Sequence, residues 1–264
     1  MKRRTFVKSA LATAAVAPLA RPTSASAASD GRQYIELRRW SIGTLENNRL
    51  VSNFLQKAIL PSLKRAGAGK LGVFYHLPDP KGYPEQLHDI FTVSAFDSLD
   101  EWRAMDAHFE QDSDMHEAGA EYLGTDKKTA AYQRIESSLM ISFAGYPKIK
   151  SPRRSKDRIF ELRRYESPNE LKAKLKIEMF NEGELDIFAK VGLDGVFYGE
   201  MLSGGHMPNL TYMLGYDSMN ERAANFKAFS QHPDWNALKK VEKYKGTVSK
   251  IDALFLKPAP FSQI

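Results

Sequence analysis

Tyr34-Ile-Glu-Leu-Arg-Arg-Trp40 is written a second time as Ile159-Phe-Glu-Leu-Arg-Arg-Tyr165, sharing Glu-Leu-Arg-Arg and a closing aromatic. Four further blocks recur in the same order. Leu71-Gly-Val-Phe-Tyr75 matches Asp194-Gly-Val-Phe-Tyr198, and Phe96-Asp97-Ser98-Leu99 matches Tyr216-Asp217-Ser218-Met219. Phe109-Glu-Gln-Asp-Ser-Asp114 matches Phe229-Ser-Gln-His-Pro-Asp234, and Leu139-Met-Ile-Ser-Phe143 matches Ile251-Asp-Ala-Leu-Phe255. The separation shrinks from 125 to 112 residues along the chain, as loops of unequal length between persistent elements require. The chain reads as a tandem duplication.

Each copy alternates strand and helix signals. Ile35 and Leu37 alternate with Glu36 and Arg38, the period of a strand. Leu50, Phe54, Ile59 and Leu63 fall near helical spacing within 45–65, with Pro61 as a point where that helix can kink. The matching helix of the second copy covers 170–191. Strands follow at 71–76 and 90–96, and at 196–201 and 210–216. Ser98 and Ser218 are expected N-caps, each with a Glu three residues on. Closing strands at 137–143 and 248–256 complete a β-α-β-β-α-β order in each copy, the ferredoxin-like unit. The expected division is a first unit over 32–147, a linker over 148–157 and a second unit over 158–258.

The first 27 residues stand apart. Lys2, Arg3, Arg4 and Lys8 precede an alanine-rich apolar run, and Ala25-Ser26-Ala27 suits a cleavage site. Arg3-Arg4-Thr5-Phe6-Val7-Lys8 resembles the twin-arginine export motif, so 1–27 is expected to be a signal peptide and the mature chain periplasmic or secreted. Removing the leader's five positive charges reduces the net charge from +6 to +1. The basic balance therefore argues for no nucleic-acid partner, and no later run is long enough for a stable membrane anchor. Cysteine is absent from the sequence, which excludes disulfides, thiolate metal sites and a thiol nucleophile.

The second copy resembles the NIPSNAP family. Phe160-Glu-Leu-Arg-Arg-Tyr165, Asn209-Leu-Thr-Tyr-Met-Leu, Tyr216-Asp-Ser-Met-Asn-Glu-Arg222 and Phe229-Ser-Gln-His-Pro-Asp-Trp235 carry the resemblance. In the first copy Trp102 stands where Arg222 does, and Ser113 and Met115 stand for Pro233 and Trp235. The family commonly has a His on the third strand, where this chain has Thr92 and Tyr212. The resemblance implies an α+β fold in which two ferredoxin-like units pack sheet against sheet as a dimeric α+β barrel. Here one chain supplies both halves, an intramolecular pseudo-dimer able to form a higher oligomer.

In such a barrel Ile35, Leu37, Phe160 and Leu162 are expected on the helices, leaving Glu36, Arg38, Glu161 and Arg163 between the sheets. Buried charges of that kind either pair as salt bridges or line a ligand pocket, to which Tyr75, Tyr198 and Tyr212 would add polar tips. Two functions stay open: a protein binding a small molecule in a barrel pocket, or a cofactor-independent oxygenase- or isomerase-like enzyme. The enzyme would need an acid–base group, for which His76 or His206 with Tyr198 and Arg163 are the candidates. His108, Asp112 and His116 have the spacing of a helical metal face, but Gln111-Asp-Ser-Asp114 reads as a helix end. Neither a metal nor a cofactor is expected. Ser203-Gly204-Gly205-His206 lies between two strands and reads as a hairpin loop rather than a phosphate cradle.

Overall fold

The computed structural model describes residues 30–77, 88–153 and 155–264. The expected signal peptide lies outside the described residues. The chain runs β1 (Tyr34–Ser41), α1 (Leu45–Phe54), α2 (Leu60–Arg65), β2 (Leu71–Leu77), β3 (Ile90–Phe96), α3 (Leu99–Gln111), α4 (Ser113–Ala118), α5 (Ala120–Leu123) and β4 (Arg134–Ser142). It continues through β5 (Ile159–Glu166), α6 (Glu170–Met179), α7 (Leu185–Lys190), β6 (Asp194–Ser203), β7 (Asn209–Tyr216), α8 (Met219–Gln231), α9 (Pro233–Leu238) and β8 (Lys250–Pro258).

The eight strands close into one antiparallel barrel in the order β1-β3-β2-β8-β5-β7-β6-β4. Closure matters because an open sheet would leave two rows of unpaired backbone groups. Two seams join the halves. Leu77 of β2 faces Phe255 of β8, and Met140 of β4 faces Met201 of β6. Residues matched in sequence hold matching positions: Arg38 sits opposite Thr92 on β3, and Arg163 opposite Tyr212 on β7.

The first helical segment covers 45–65 as expected, but it is not uniform. A π-turn over Leu55–Ile59 absorbs the irregularity, and Pro61 follows in the first turn of α2, where its missing N–H costs no helical bond. A second π-turn, Phe180–Glu184, joins α6 to α7 at the corresponding place. Ser98 and Ser218 accept from the backbone N–H of Glu101 and Glu221 at 3.1 Å each. The returning carboxylates accept from Asp97 and Asp217, one residue before the position a capping box uses.

The barrel interior is the first core. Ile35, Phe74, Val93, Met140, Phe160, Val196, Phe197, Met213 and Leu256 come from both halves and fill it, with Ile264 packed among them. Each half then packs the outside of its own strands on its helices. Val51, Leu55, Leu63, Val73 and Ile90 form that layer in the first half, and Phe180, Phe188, Tyr198, Tyr212 and Tyr216 in the second.

This arrangement corrects the expected strand faces. Ile35, Leu37, Phe160 and Leu162 point into the barrel, while Glu36, Arg38, Glu161 and Arg163 turn toward the helices. The physical reason is that both faces of every strand are covered. The interior, enclosed by the eight strands, takes the aliphatic face over its middle, and the helix layer, with an edge on water, can complete charged pairs.

Candidate functional site

Strand parity that turns Leu37 and Leu162 inward does the same for Arg39 and Arg164, two residues further on. Both reach a cavity of about 470 Å³ toward one end of the barrel. Leu37, Phe91, Leu162, Met201 and Leu254 supply its apolar wall, and Glu136, Thr211, Asp252 and His206 its polar lining. The charges are arranged alike in the two halves. Arg39 on β1 sits across from Glu136 on β4, and Arg164 on β5 across from Asp252 on β8.

Each arginine is anchored. Nε of Arg39 donates to Oδ2 of Asp89 at 2.9 Å, while Oδ1 of Asp89 accepts from the Ile42 N–H. Arg164 donates to Asp252, which also accepts from Lys250 at 3.1 Å. Burial pushes the Asp252 carboxyl up, but these cations more than offset it and hold it below the usual carboxylate range. Nε of Arg164 and Oε1 of Glu166, both buried, face each other at 3.5 Å as an ion pair without a hydrogen bond, and Lys250 lies 3.8 Å from the same Glu166 oxygen. His206, in the β6–β7 hairpin, places Nδ1 3.3 Å from that Glu166 oxygen. Its backbone sits at φ 60°, a left-handed conformation sparse for a non-glycine residue.

The residues expected to form the pocket gather elsewhere. Glu161, wholly buried, accepts from Arg163, from Nη2 and Nε of Arg222 at 2.8 and 2.9 Å, and from the Tyr216 hydroxyl at 3.2 Å. Arg163 also donates to the Tyr165 hydroxyl at 3.2 Å, which accepts from Tyr212 at 2.8 Å. Tyr198 stacks on Tyr212 with ring centroids 5.4 Å apart, and burial pushes both phenols up. In the first half Glu36 pairs with Arg38 at 2.9 Å, and Tyr75 donates to Ser52 at 3.1 Å. His76 lines an outer groove beside Tyr75 and Asp89. Of the acid–base candidates, only His206 lies at the barrel cavity; Tyr198 and Arg163 are on the other side of the sheet.

His108, Asp112 and His116 do not share a helix face. α3 stops at Gln111, and Asp112 caps α4 while accepting from Ser62 and Arg65. His116 is held against the Phe109 carbonyl at 2.8 Å. Among the described residues no group of three or more His, Cys, Asp or Glu could hold a metal ion.

The sequence profile of the NIPSNAP family matches residues 160–263. The second half of the chain is thus similar to the NIPSNAP family. No curated protein matches it. A NIPSNAP-like domain protein from Burkholderia xenovorans is 20% identical, over 41% of this chain and 90% of that one, with a TM-score of 0.37. Over the whole barrel the chain is similar to candidate monooxygenases from Lactobacillus acidophilus NCFM and Fusobacterium nucleatum. The first is 10% identical with a TM-score of 0.55, covering 86% of this chain and 94% of that one. The second is 8% identical with the same TM-score, covering 86% and 92%. At such identities the likeness is one of fold.

The NIPSNAP-like half contributes Leu162, Arg164, Met201, His206, Thr211, Asp252 and Leu254 to the cavity, and the first half contributes Leu37, Arg39, Phe91, Glu136 and Ser138. Sequence reasoning passed over Arg39, Arg164, Glu136 and Asp252. Their signal was parity: the second arginine of each Glu-Leu-Arg-Arg shares the face of its aliphatic neighbours.

Proposed function

We propose that the barrel binds a small molecule with an apolar body and a polar head, in the cavity between its two halves. The observation behind this reading is the 470 Å³ space, within the usual range of small-molecule pockets, with leucines on its wall and interleaved acids and arginines at its mouth. The test is native mass spectrometry of protein purified from its own source, with Leu254→Trp filling the cavity. The wild type should retain a small mass that Leu254→Trp lacks. A bound mass kept by the filled variant would rule the cavity out.

A second reading is a cofactor-independent oxygenase- or isomerase-like enzyme. His206 beside Glu166 at the cavity mouth favours it, as does fold likeness to candidate monooxygenases, which is analogy. His206→Asn would then abolish turnover without loss of the bound mass.

The same reading takes 32–147 and 158–258 as two tandem ferredoxin-like units tied by 148–157, and takes 1–27 as a twin-arginine signal. Replacing Arg3 and Arg4 together by Lys should hold the precursor in the cytoplasm, read by cell fractionation. Normal export of that variant would remove the periplasmic assignment.

A further inference from the structure

The two halves treat one cleft differently. In the NIPSNAP-like half, the space between sheet and helices is closed by Tyr165, Tyr212, Tyr216 and Arg222, and both oxygens of Glu161 are bonded there. At the matching positions the first half has Trp40, Thr92, Phe96 and Trp102, with Ser94 for Leu214. The exchanges remove three hydroxyl-bearing rings and a guanidinium, and Thr92 and Ser94 are much smaller than their counterparts. A cavity of about 250 Å³ results, and all five of these residues line it together with Glu36 and Arg38.

The polar groups at its floor keep unused capacity. Oε1 of Glu36 accepts from Ser137 at 2.7 Å and lies 2.9 Å from Nε of Arg38. Nε1 of Trp40, in the cleft wall, is buried without a hydrogen-bond partner, and Oε2 of Glu36, a residue only 7% exposed, and the terminal amino groups of Arg38, whose side chain is 35% exposed, make no hydrogen bond among the described residues. Of the side chains that satisfy Glu161 in the other half, Arg163 has its counterpart in Arg38, but Tyr216 and Arg222 are replaced by Phe96 and Trp102.

We propose that this sheet–helix cleft of the first half is a second binding site, for a compact uncharged alcohol or phenol. Its hydroxyl donates to Oε2 of Glu36, as the Tyr216 hydroxyl does to Glu161, and the ligand's oxygen accepts from a terminal N–H of Arg38. Charge selects the class. Glu36 and Arg38 already neutralise each other, so a charged ligand would lose its hydration with no counter-ion to meet it. The aromatic and aliphatic walls suit one or two fused rings, since the space is below the usual range for larger ligands. The proposal is independent of the barrel cavity, because opposite faces of the same strands line the two.

Methyl NMR of methionine separates the sites, since Met105 and Met115 line the cleft and Met201 lines the barrel cavity. Titration with 2-naphthol should shift Met105 and Met115 and leave Met201 in place. Shifts at Met201 alone, or none at millimolar probe, would overturn the proposal. Binding of 2-naphthoate as tight as that of 2-naphthol would overturn the uncharged class. Thr92→Tyr with Ser94→Leu, which refills the cleft with the second half's side chains, should weaken 2-naphthol by at least about tenfold. Should that variant not fold, the methionine map of the wild-type protein still decides.

Discussion

Lys176→Met is expected to lower the unfolding free energy by about 3–5 kcal/mol, because it strands a buried carboxylate. Nζ of Lys176 lies 2.6 Å from Oε2 of Glu184, and the two side chains are only 5% and 2% exposed. The pair ties α6 to the π-turn beyond it, with the ammonium 4.7 Å from the centre of the Phe180 ring. Adding Glu184→Leu should restore most of the loss, since an apolar pair of similar volume has no charge to desolvate.

The deficit has a pH signature. Burial pushes the Glu184 carboxyl above its ordinary 4.5 despite the neighbouring lysine. Without Lys176 the folded-state value rises further, so the folded protein binds a proton that the unfolded chain does not. A raised folded value contributes stability at low pH that fades as pH climbs through it. The gap between Lys176→Met and wild type should therefore narrow from about pH 7.5 to about pH 5, read by urea denaturation. A gap of constant size would show that Glu184 stays charged in the variant.

Glu161→Gln is expected to cost roughly 3–5 kcal/mol as well, by leaving two guanidinium groups facing each other without their shared anion. Arg163→Ala should cost less, about 1.5–3 kcal/mol, because Arg222 still binds both oxygens of Glu161. Thermal and chemical unfolding of the two variants test the order. A loss under about 1 kcal/mol for Glu161→Gln would mean that water screens the network as it does exposed pairs.

The sequence made the element pattern legible because the repeat doubled every signal. β3 lies within its expected bounds, and the helix over 45–65 spans its predicted length despite the π-turn. Closure of eight strands within one chain also agrees with that reading. What the alternation of Ile35, Glu36, Leu37 and Arg38 could not specify was which covered face is the drier. Period-2 patterning separates two faces, but it names neither when both are packed. The same ambiguity concealed Arg39 and Arg164, whose role depends on barrel depth. The cleft in the first half was half visible, in Trp102 standing for Arg222. That the difference opens a space depended on Thr92 and Ser94 lying beside it on β3.

The two seams of the barrel have a consequence for biosynthesis. β2 must wait for β8, and β4 for β6, so the first half leaves the ribosome with both of its sheet edges bare. Synthesis of the roughly 100 residues from β4 to β8 takes about 5–20 s at the usual rate of about 5–20 residues per second. During that interval Leu71–Leu77 offers a free edge to any strand that fits, and the best fit is β8 of another nascent chain. Crowded translation on one message therefore favours exchange of second halves between neighbours, and the product is a dimer with two complete barrels.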